Sequence, residues 1–346
     1  MKRHGNLFKK ICDLENIMLA HENARKGKAH YREVKLVNLD PKAFCSEIKR
    51  LLESKKFSTS DYIIEQKHDG RKMRTIYKLP YYPDRIIQHA LIQVCGPIWQ
   101  KQFIRDTFQS IVGRGTHDAR KRVEKAISNS SPKYALKFDI KKYYPSIDNE
   151  KLKKIVRKKI KCKDTLWLID NIIDSSQGIP IGNYTSQYFG NMYLNEFDWW
   201  AKQTLKLKNY YRYCDDIVVL CDTASECHEV RRAMFGKLRS EFSLEIKSNW
   251  QVFPVEVRGL DFVGYVFKQN STRLRKNIAT GFKAKARSIK KRPLSQHQAI
   301  GGLMSYWGWI KHANAKKLWL SEVDDTIIRI TNDYGTKRNP IKEIMQ

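Results

Sequence analysis

Apolar residues along this chain recur with two different periods, and the changes of period mark out its elements. Leu7, Ile11, Leu14 and Leu19 fall near helical spacing, as do Phe44, Ile48, Leu51 and Leu52, so residues 1–60 read as a basic helical segment. The polar, basic stretch ENARKGKAHYR connects its halves. YIIEQKHDGRKMRTIYKLP (62–80) predicts two strands joined at Asp69-Gly70, a hairpin turn signal. DRIIQHALIQVCGPIWQKQF reads as an amphipathic helix, and VGRGTHDARKRVEKAI as a basic loop opening into another.

YALKFDIKKYYPSID (134–148) predicts an apolar strand ending at Asp139, then a turn. LWLIDNIID is helical and QGIPIGNYTSQ a loop. YFGNMYLNEFDWW reads as one helix with Phe189, Met192, Tyr193, Phe197 and Trp200 on one face. YRYCDDIVVLCD predicts two strands with Cys214-Asp215-Asp216 at their turn. ECHEVRRAMFGKLRSEF is a helix, and short strands run through GLDFVGYVF (259–267). From about residue 270 the chain turns strongly basic, in STRLRKNIATGFKAKARSIKKRPL, and SYWGWIKHANAKKLWL reads as an aromatic-rich helix. This shift places a subdomain boundary near 268.

Composition narrows the function classes. With 66 Lys and Arg against 36 Asp and Glu, the net charge is +30. Such a balance points to a polyanionic partner, nucleic acid first and an anionic membrane a distant second. The plainer alternative is a generic basic surface. At 41% hydrophobic and 11% aromatic the chain builds a real core, which excludes a disordered protein, and 346 residues allow two or three domains or subdomains. Its seven cysteines form no CxxC pair and no zinc spacing, as expected of reduced thiols in a cytosolic protein. The first twenty residues lack the apolar stretch of a signal peptide. No window approaches roughly 18 apolar residues, so no transmembrane helix is expected.

The chemistry concentrates in three carboxylates. Asp139 ends one apolar strand, and Asp215 and Asp216 sit against the apolar run Ile217 to Leu220. If these strands are neighbours in one sheet, the carboxylates converge, and they stay ionised together only with a cation between them. Oxygen-only ligands suit Mg²⁺. Two such ions bridged by aspartates are the machinery of in-line nucleotidyl transfer, one activating a 3′-OH and the other holding the triphosphate. The plainer alternative is a polar hairpin turn, an ordinary place for Asp.

YCDD between apolar strands, with FDIKKYYPSID upstream, resembles the palm of reverse transcriptases. The order of other segments fits: RTIYKLPYYPDRIIQHAL resembles the fingers strands and helix of bacterial members, and FIRDTFQSIVGRGTHDA their next block. QGIPIGNYTSQYFGNMYLNEFD resembles the template- and nucleotide-facing loop and helix, and LEIKSNWQVF and RGLDFVGYVF the two blocks after the catalytic turn. The resemblance runs from about residue 60 to 320. More discriminating is IGNYTSQ, with Ile181, Gly182, Asn183, Ser186 and Gln187. Most bacterial reverse transcriptases carry Ser-Pro or Ser-Ala there, and the Ser-Gln form is similar to that of diversity-generating retroelements. GTHDA, RGLDFVGY and SYWGWIKH match that group's style. Cys214 stands where Met or Ala is commoner, which bears on fidelity rather than on activity.

The resemblance implies an α+β right-hand polymerase: fingers over 61–133 with 150–185 returning to their junction with the palm, a palm of small antiparallel sheet over 134–149 and 186–267, and a helical thumb with a tail over 268–346. It implies two Mg²⁺ ions, dNTP substrates, a template-repeat RNA and its RNA/cDNA duplex, misincorporation opposite adenine, and a small basic ring-forming accessory variability protein, in a bacterial or phage-encoded cytoplasmic enzyme with no membrane partner. Asp139 and Asp215 are the metal ligands, with Asp216 auxiliary and the Ile140 carbonyl adding a ligand. Tyr144 is the gate whose ring excludes a ribose 2′-OH, or else a packing tyrosine paired with Tyr143. Arg74 and Lys78 contact the incoming triphosphate, though Lys78 equally reads as a solvated strand residue. Gln177, Ile181 and Gly182 face its base and sugar; the alternative for Gly178 and Gly182 is a plain turn before a helix capped by Asn183 or Thr185. Lys247 resembles the lysine that protonates pyrophosphate, or is an exposed lysine on a basic protein. Arg85 touches triphosphate or template. Arg273, Arg275, Lys276, Lys283, Lys285 and Arg287, followed by Lys290 and Lys291, look like a thumb gripping duplex backbone, while Tyr306, Trp307, Trp309 and Trp319 read as that thumb's core. Rival readings are a retron-type or defence-associated reverse transcriptase, and a non-catalytic RNA-binding protein on a polymerase scaffold.

Overall fold

Four helices open the chain, α1 (Phe8–Ile11), α2 (Leu14–Ala24), α3 (Arg32–Val37) and α4 (Pro41–Glu53). A hairpin of β1 (Ile63–Asp69) and β2 (Lys72–Lys78) follows, then α5 (Ile86–Gln100), β3 (Thr107–Phe108), α6 (Thr116–Ser128) and β4 (Tyr134–Asp139). Next come α7 (Asn149–Arg157), α8 (Lys163–Asp174), α9 (Ser186–Tyr193) and α10 (Asn195–Gln203), the hairpin of β5 (Tyr210–Tyr213) and β6 (Asp216–Cys221), and α11 (Ala224–Phe242). The last stretch holds β7 (Gln251–Pro254), α12 (Val255–Arg258), β8 (Leu260–Phe262), β9 (Tyr265–Lys268), β10 (Ser271–Leu274), α13 (Lys276–Lys291), α14 (Gln296–Ile310), α15 (Lys316–Glu322) and α16 (Asp325–Asn332). This computed structural model describes residues 3–69, 72–128, 133–291 and 296–332; the expected turn residue Gly70 and the tail 333–346 lie outside the described residues.

The expected strands form, and the two carboxylate-bearing ones share a sheet, whose order is β3-β5-β6-β4-β7. β4 pairs antiparallel with β7, while the two-residue β3 pairs parallel with β5, so this sheet carries one short parallel pair beyond the antiparallel arrangement expected. Separate sheets join β1 to β2 and order β10-β9-β8. The chain divides into two compact units: 1–112 with 138–217 and 230–250, and 113–137 with 218–229 and 251–346. Asp139, Asp215 and Asp216 all belong to the first.

In the first unit, helix starts are fixed by aspartates. Asp13, Asp40 and Asp148 accept from the amides of Glu15, Ala43 and Lys151 at 2.8, 3.0 and 2.9 Å, opening α2, α4 and α7. Helix α5 differs from the amphipathic helix expected. Every residue from Ile86 to Ile92 is buried, Gln88 and His89 included. Two layers cover it. Asn16 on α2 donates to the Ala90 carbonyl (3.2 Å) and Gln93 donates back to Asn16 (2.8 Å). Gln88 accepts from the Tyr184 amide at 2.8 Å. The basic N-terminal segment is thus a cover for α5. The single helix expected over 188–200 is broken at Leu194 (φ −92°, ψ 1°), a buried residue between α9 and α10.

In the second unit the aromatics form a core. Phe282 stacks on Trp319 (5.4 Å, 6°), Trp307 lies 4.8 Å from Trp319, and Tyr265 lies 5.6 Å from Trp309. The helix expected over SYWGWIKHANAKKLWL is two, α14 and α15. Between them Asn314 is held by Thr272 of β10 through two bonds of 2.7 Å that stop the helix: the Asn314 amide donates to the Thr272 carbonyl, and the Thr272 amide donates to the Asn314 side-chain oxygen. Along α13, Phe282, Ala286 and Ile289 are buried, while Lys276, Lys283, Arg287 and Lys290 recur at helical spacing on the exposed side.

Inside the first unit, the His89 ring lies flat on Tyr184, centroids 3.7 Å apart and planes 3° apart. Burial, then the charges of Arg85 and Lys28, lower its pKa from 6.5 to about 3. The unfolded chain therefore binds a proton below pH 6.5 that the folded chain refuses. The stabilisation is full above pH 6.5 and is lost as pH falls toward 3. Urea unfolding between pH 7 and 4 should show stability falling with pH, and His89→Phe should flatten that slope by up to about 1.4 kcal/mol per pH unit.

Candidate active site

β4 delivers Asp139 as its last residue, and the tight turn between β5 and β6 delivers Asp215. The Ile140 amide donates to the Asp215 carbonyl at 3.3 Å, tying the two chain segments together. The carboxyl groups of Asp139 and Asp215 interact directly. Burial, then the charge of Asp139 and a hydrogen bond to it, push the Asp215 carboxyl up to about 7. Lys247 closes the site: its amide donates to the Asp139 carbonyl (2.9 Å), and its Nζ lies 2.7 Å from Asp139 Oδ1. That oxygen is shielded from solvent, with the Lys247 ammonium against it. Asp216 opens β6 beside this pair, and among the described residues no group of three His, Cys, Asp or Glu side chains is close enough to hold a metal ion. The observed site is thus a carboxylate pair with a lysine against it. Two carboxylates meeting at one point, with one of their oxygens shielded from solvent, are a donor set that fits a hard divalent cation.

The turn has a second function. Cys214 is buried with φ +58°, and its thiol donates to the Tyr144 hydroxyl at 3.2 Å. Tyr144 follows Tyr143, whose hydroxyl donates to the Gly190 carbonyl at 2.5 Å; the two rings lie 5.4 Å apart. A side chain on helix α9 here would press on the ring, since a Cβ on Gly190 would lie 3.1 Å from Tyr144. Tyr144 is therefore both paired with Tyr143 and fastened to the catalytic turn.

Each residue of the loop 181–187 has a distinct contact. The Ile181 carbonyl accepts from the Tyr77 amide of β2 at 2.8 Å. Asn183 donates to the Tyr62 hydroxyl (2.7 Å), and Ser186 Oγ donates to the Pro180 carbonyl (2.7 Å), closing the loop. Gln187 bonds Ser110. Thr185 precedes α9 without a side-chain cap, so neither it nor Asn183 caps the helix. Arg85, Gly182, Asn183 and Gln187 line one cavity of about 470 Å³ with Ser110, Tyr184 and Tyr188. Arg85 Nε is buried without an acceptor among the described residues. Gln177 is exposed and outside that lining.

Residues 65–267 match the family described as reverse transcriptase (RNA-dependent DNA polymerase). This chain belongs to that family. Protein YkfC of Escherichia coli strain K12 is 22% identical over 233 residues, 54% of this chain and 61% of YkfC. Apo telomerase from Candida tropicalis shares the fold at a TM-score of 0.52 and 11% identity, over 83% of this chain and 61% of that one. The chain therefore spans about three fifths of the length of each. The α+β architecture read from the sequence agrees with this fold.

Among the basic residues, Arg74 is exposed on β2 opposite Lys67, and Lys78 is half-exposed and paired with Glu65 at 2.5 Å. Arg275 is held by Asp261 (Nε to Oδ1, 2.6 Å), whereas Arg273, Lys276 and Arg287 are exposed, Lys283 lies 3.9 Å from Glu322, and Lys285 is half-buried. Sequence reasoning missed what stands behind the reverse transcriptase turn: Arg212 and Asp198, both fully buried and paired at 2.6 Å. The available signal was a lone arginine inside the apolar strand YYRY, since a buried charge demands a partner. It also missed Gln109 and Ser110, left-handed at φ +78° and +55° beside the cavity.

Gly182 is the tightest point of the loop. At φ +138°, a Cβ there would stand 2.0 Å from the Tyr77 carbonyl oxygen. Gly182→Ala should part β2 from the loop and lower unfolding free energy by roughly 2 kcal/mol or more, measured by denaturant titration.

Proposed function

We propose that this chain is an RNA-dependent DNA polymerase of the diversity-generating kind, making cDNA from a template-repeat RNA. The observation that carries the polymerase reading is the Asp139–Asp215 pair at adjoining strand ends within the family match. The subfamily reading rests on IGNYTSQ, whose Gly182, Asn183 and Gln187 line one cavity with Arg85. In this reading the fingers, palm and thumb take the residue ranges expected from sequence, and the protein works in the cytoplasm with template RNA and a small basic ring-forming partner.

Asp139 and Asp215, with the Ile140 carbonyl and Asp216 beside them, would hold Mg²⁺. The ion supplies activation of the primer 3′-OH and neutralises charge on the triphosphate. The residues of the chain do the rest. Asp215, whose carboxyl is pushed up beside Asp139, would be held ionised where a cation was bound. Lys247, released from Asp139, is placed to donate a proton to the departing pyrophosphate. Tyr144, pinned by Cys214 and backed by Gly190, keeps a bulky ring where a 2′-OH would fall. Arg74 and Lys78 meet the triphosphate, Gln177 and the 181–182 backbone the nucleoside, and the exposed stripe on α13 neutralises duplex phosphates.

The test is dNTP incorporation on a primed cognate RNA with Mg²⁺ and the accessory protein, followed by sequencing of the cDNA. Asp215→Asn should lower synthesis by about a thousandfold or more. Errors should concentrate opposite template adenines. Synthesis that survives Asp215→Asn would sink the catalytic assignment. Errors spread evenly over the four bases would keep the polymerase and remove the diversity-generating reading.

A further inference from the structure

We infer that Arg212 is a positioning residue for catalysis: fixed on Asp198 and Asn191, its guanidinium holds the Cys214 carbonyl and thereby sets where Asp215 meets Asp139. The inference rests on the reading of Asp139 and Asp215 as the metal-holding pair.

The geometry is specific. Arg212 Nε donates to Asp198 Oδ1 at 2.7 Å and Nη2 to Oδ2 at 2.6 Å, a two-pronged pair with neither side chain exposed. Nη1 and Nη2 also reach the side chain and carbonyl of Asn191, both at 3.3 Å. Asp198 is fixed in turn by Thr107 Oγ1 (2.8 Å) and the Tyr210 hydroxyl (2.5 Å). The guanidinium is therefore gripped by α9 and α10, and β3 and β5 brace the carboxylate that holds it. Its remaining reach goes to main chain: Nη1 donates to the Cys214 carbonyl at 3.0 Å.

That carbonyl belongs to the residue that needs holding. Cys214 lies at φ +58°, a conformation that strains an L-residue carrying a Cβ. Its carbonyl carbon is bonded to the Asp215 nitrogen, so a rotation at Cys214 swings the Asp215 carboxylate. Filling the core would not call for an arginine, because an apolar pair of the same volume is often as stable as a buried ion pair. A rigid fork that can grip a carboxylate with one edge and a turn carbonyl with another is what the chain uses instead.

The experiment uses the full chain with its primed template RNA, comparing wild type, Arg212→Lys, Cys214→Gly and the double variant. Lysine keeps the charge and loses the fork. For Arg212→Lys, kcat should fall at least tenfold, KM for dNTP should stay within threefold, and the Mg²⁺ concentration for half-activation should rise several-fold. Affinity for the primed template should hold. Cys214→Gly in the Arg212→Lys background should recover at least threefold in kcat, because glycine takes the left-handed turn without a clamp. A folded Arg212→Lys protein with kcat within twofold of wild type would overturn the inference. So would a loss of kcat with unchanged Mg²⁺ half-activation and no recovery by glycine, which would make Arg212 a residue of the core alone. If Arg212→Lys shows no cooperative melt, Asn191→Ala decides by the same readouts: it removes one guanidinium acceptor and no charge, and a kcat and Mg²⁺ response equal to wild type would count against us. Asp139→Asn runs alongside. Activity surviving that change would strike the metal-pair reading and leave the role of Arg212 in shaping the turn to be judged by the glycine recovery.

Discussion

Two carboxyl groups brought together at adjoining strand ends are the constraint around which the candidate site is organised. Burial, then the charge of Asp139, disfavours ionisation of Asp215. A chain that places such a pair must supply positive charge nearby and must hold both backbones still. Lys247 supplies the charge through the 2.7 Å ion pair with Asp139. The Ile140 to Asp215 and Lys247 to Asp139 main-chain bonds supply the rigidity. In the reading proposed above, a divalent cation would neutralise the pair more fully than Lys247 does, and the electrostatic cost of the site would become affinity for metal.

Nearly everything that could be read from period was legible in the sequence. The hairpin at 63–78, the strand ending in Asp139 and the strand–turn–strand around Asp215 carry their alternation and turn residues in short local windows. Helix breaks were not legible. Asn314 follows a helix end because of where a distant group sits: Thr272 grips it from a strand 42 residues earlier. No local window contains that information. Helix α5 was misjudged for the same reason, since Gln88 is satisfied by the Tyr184 amide and His89 is covered by the Tyr184 ring, nearly a hundred residues on.

The site was legible in its acids and opaque in its supports. Asp139 and Asp215 announce themselves as carboxylates at the ends of apolar strands. The residues that aim them (Arg212, Asp198, Asn191) are scattered over two helices and a strand, and only the fold brings them to one point. The loop 181–187 lies between these cases. Its motif can be spotted by resemblance, but the contact of each member, from the Ile181 carbonyl on β2 to the Ser186 hydroxyl on Pro180, is a property of packing.

The burial of α5 on all its sides bears on the order in which the protein can be made. Its partner α2 lies upstream, with contacts such as Asn16 to Ala90 spanning 74 residues. A chain emerging from the ribosome amino end first holds both members of this pair before β4 has been synthesised. Strand β7, which completes the large sheet by pairing with β4, arrives more than a hundred residues later. The α2–α5 contact is thus available to form before any strand of the large sheet has been made.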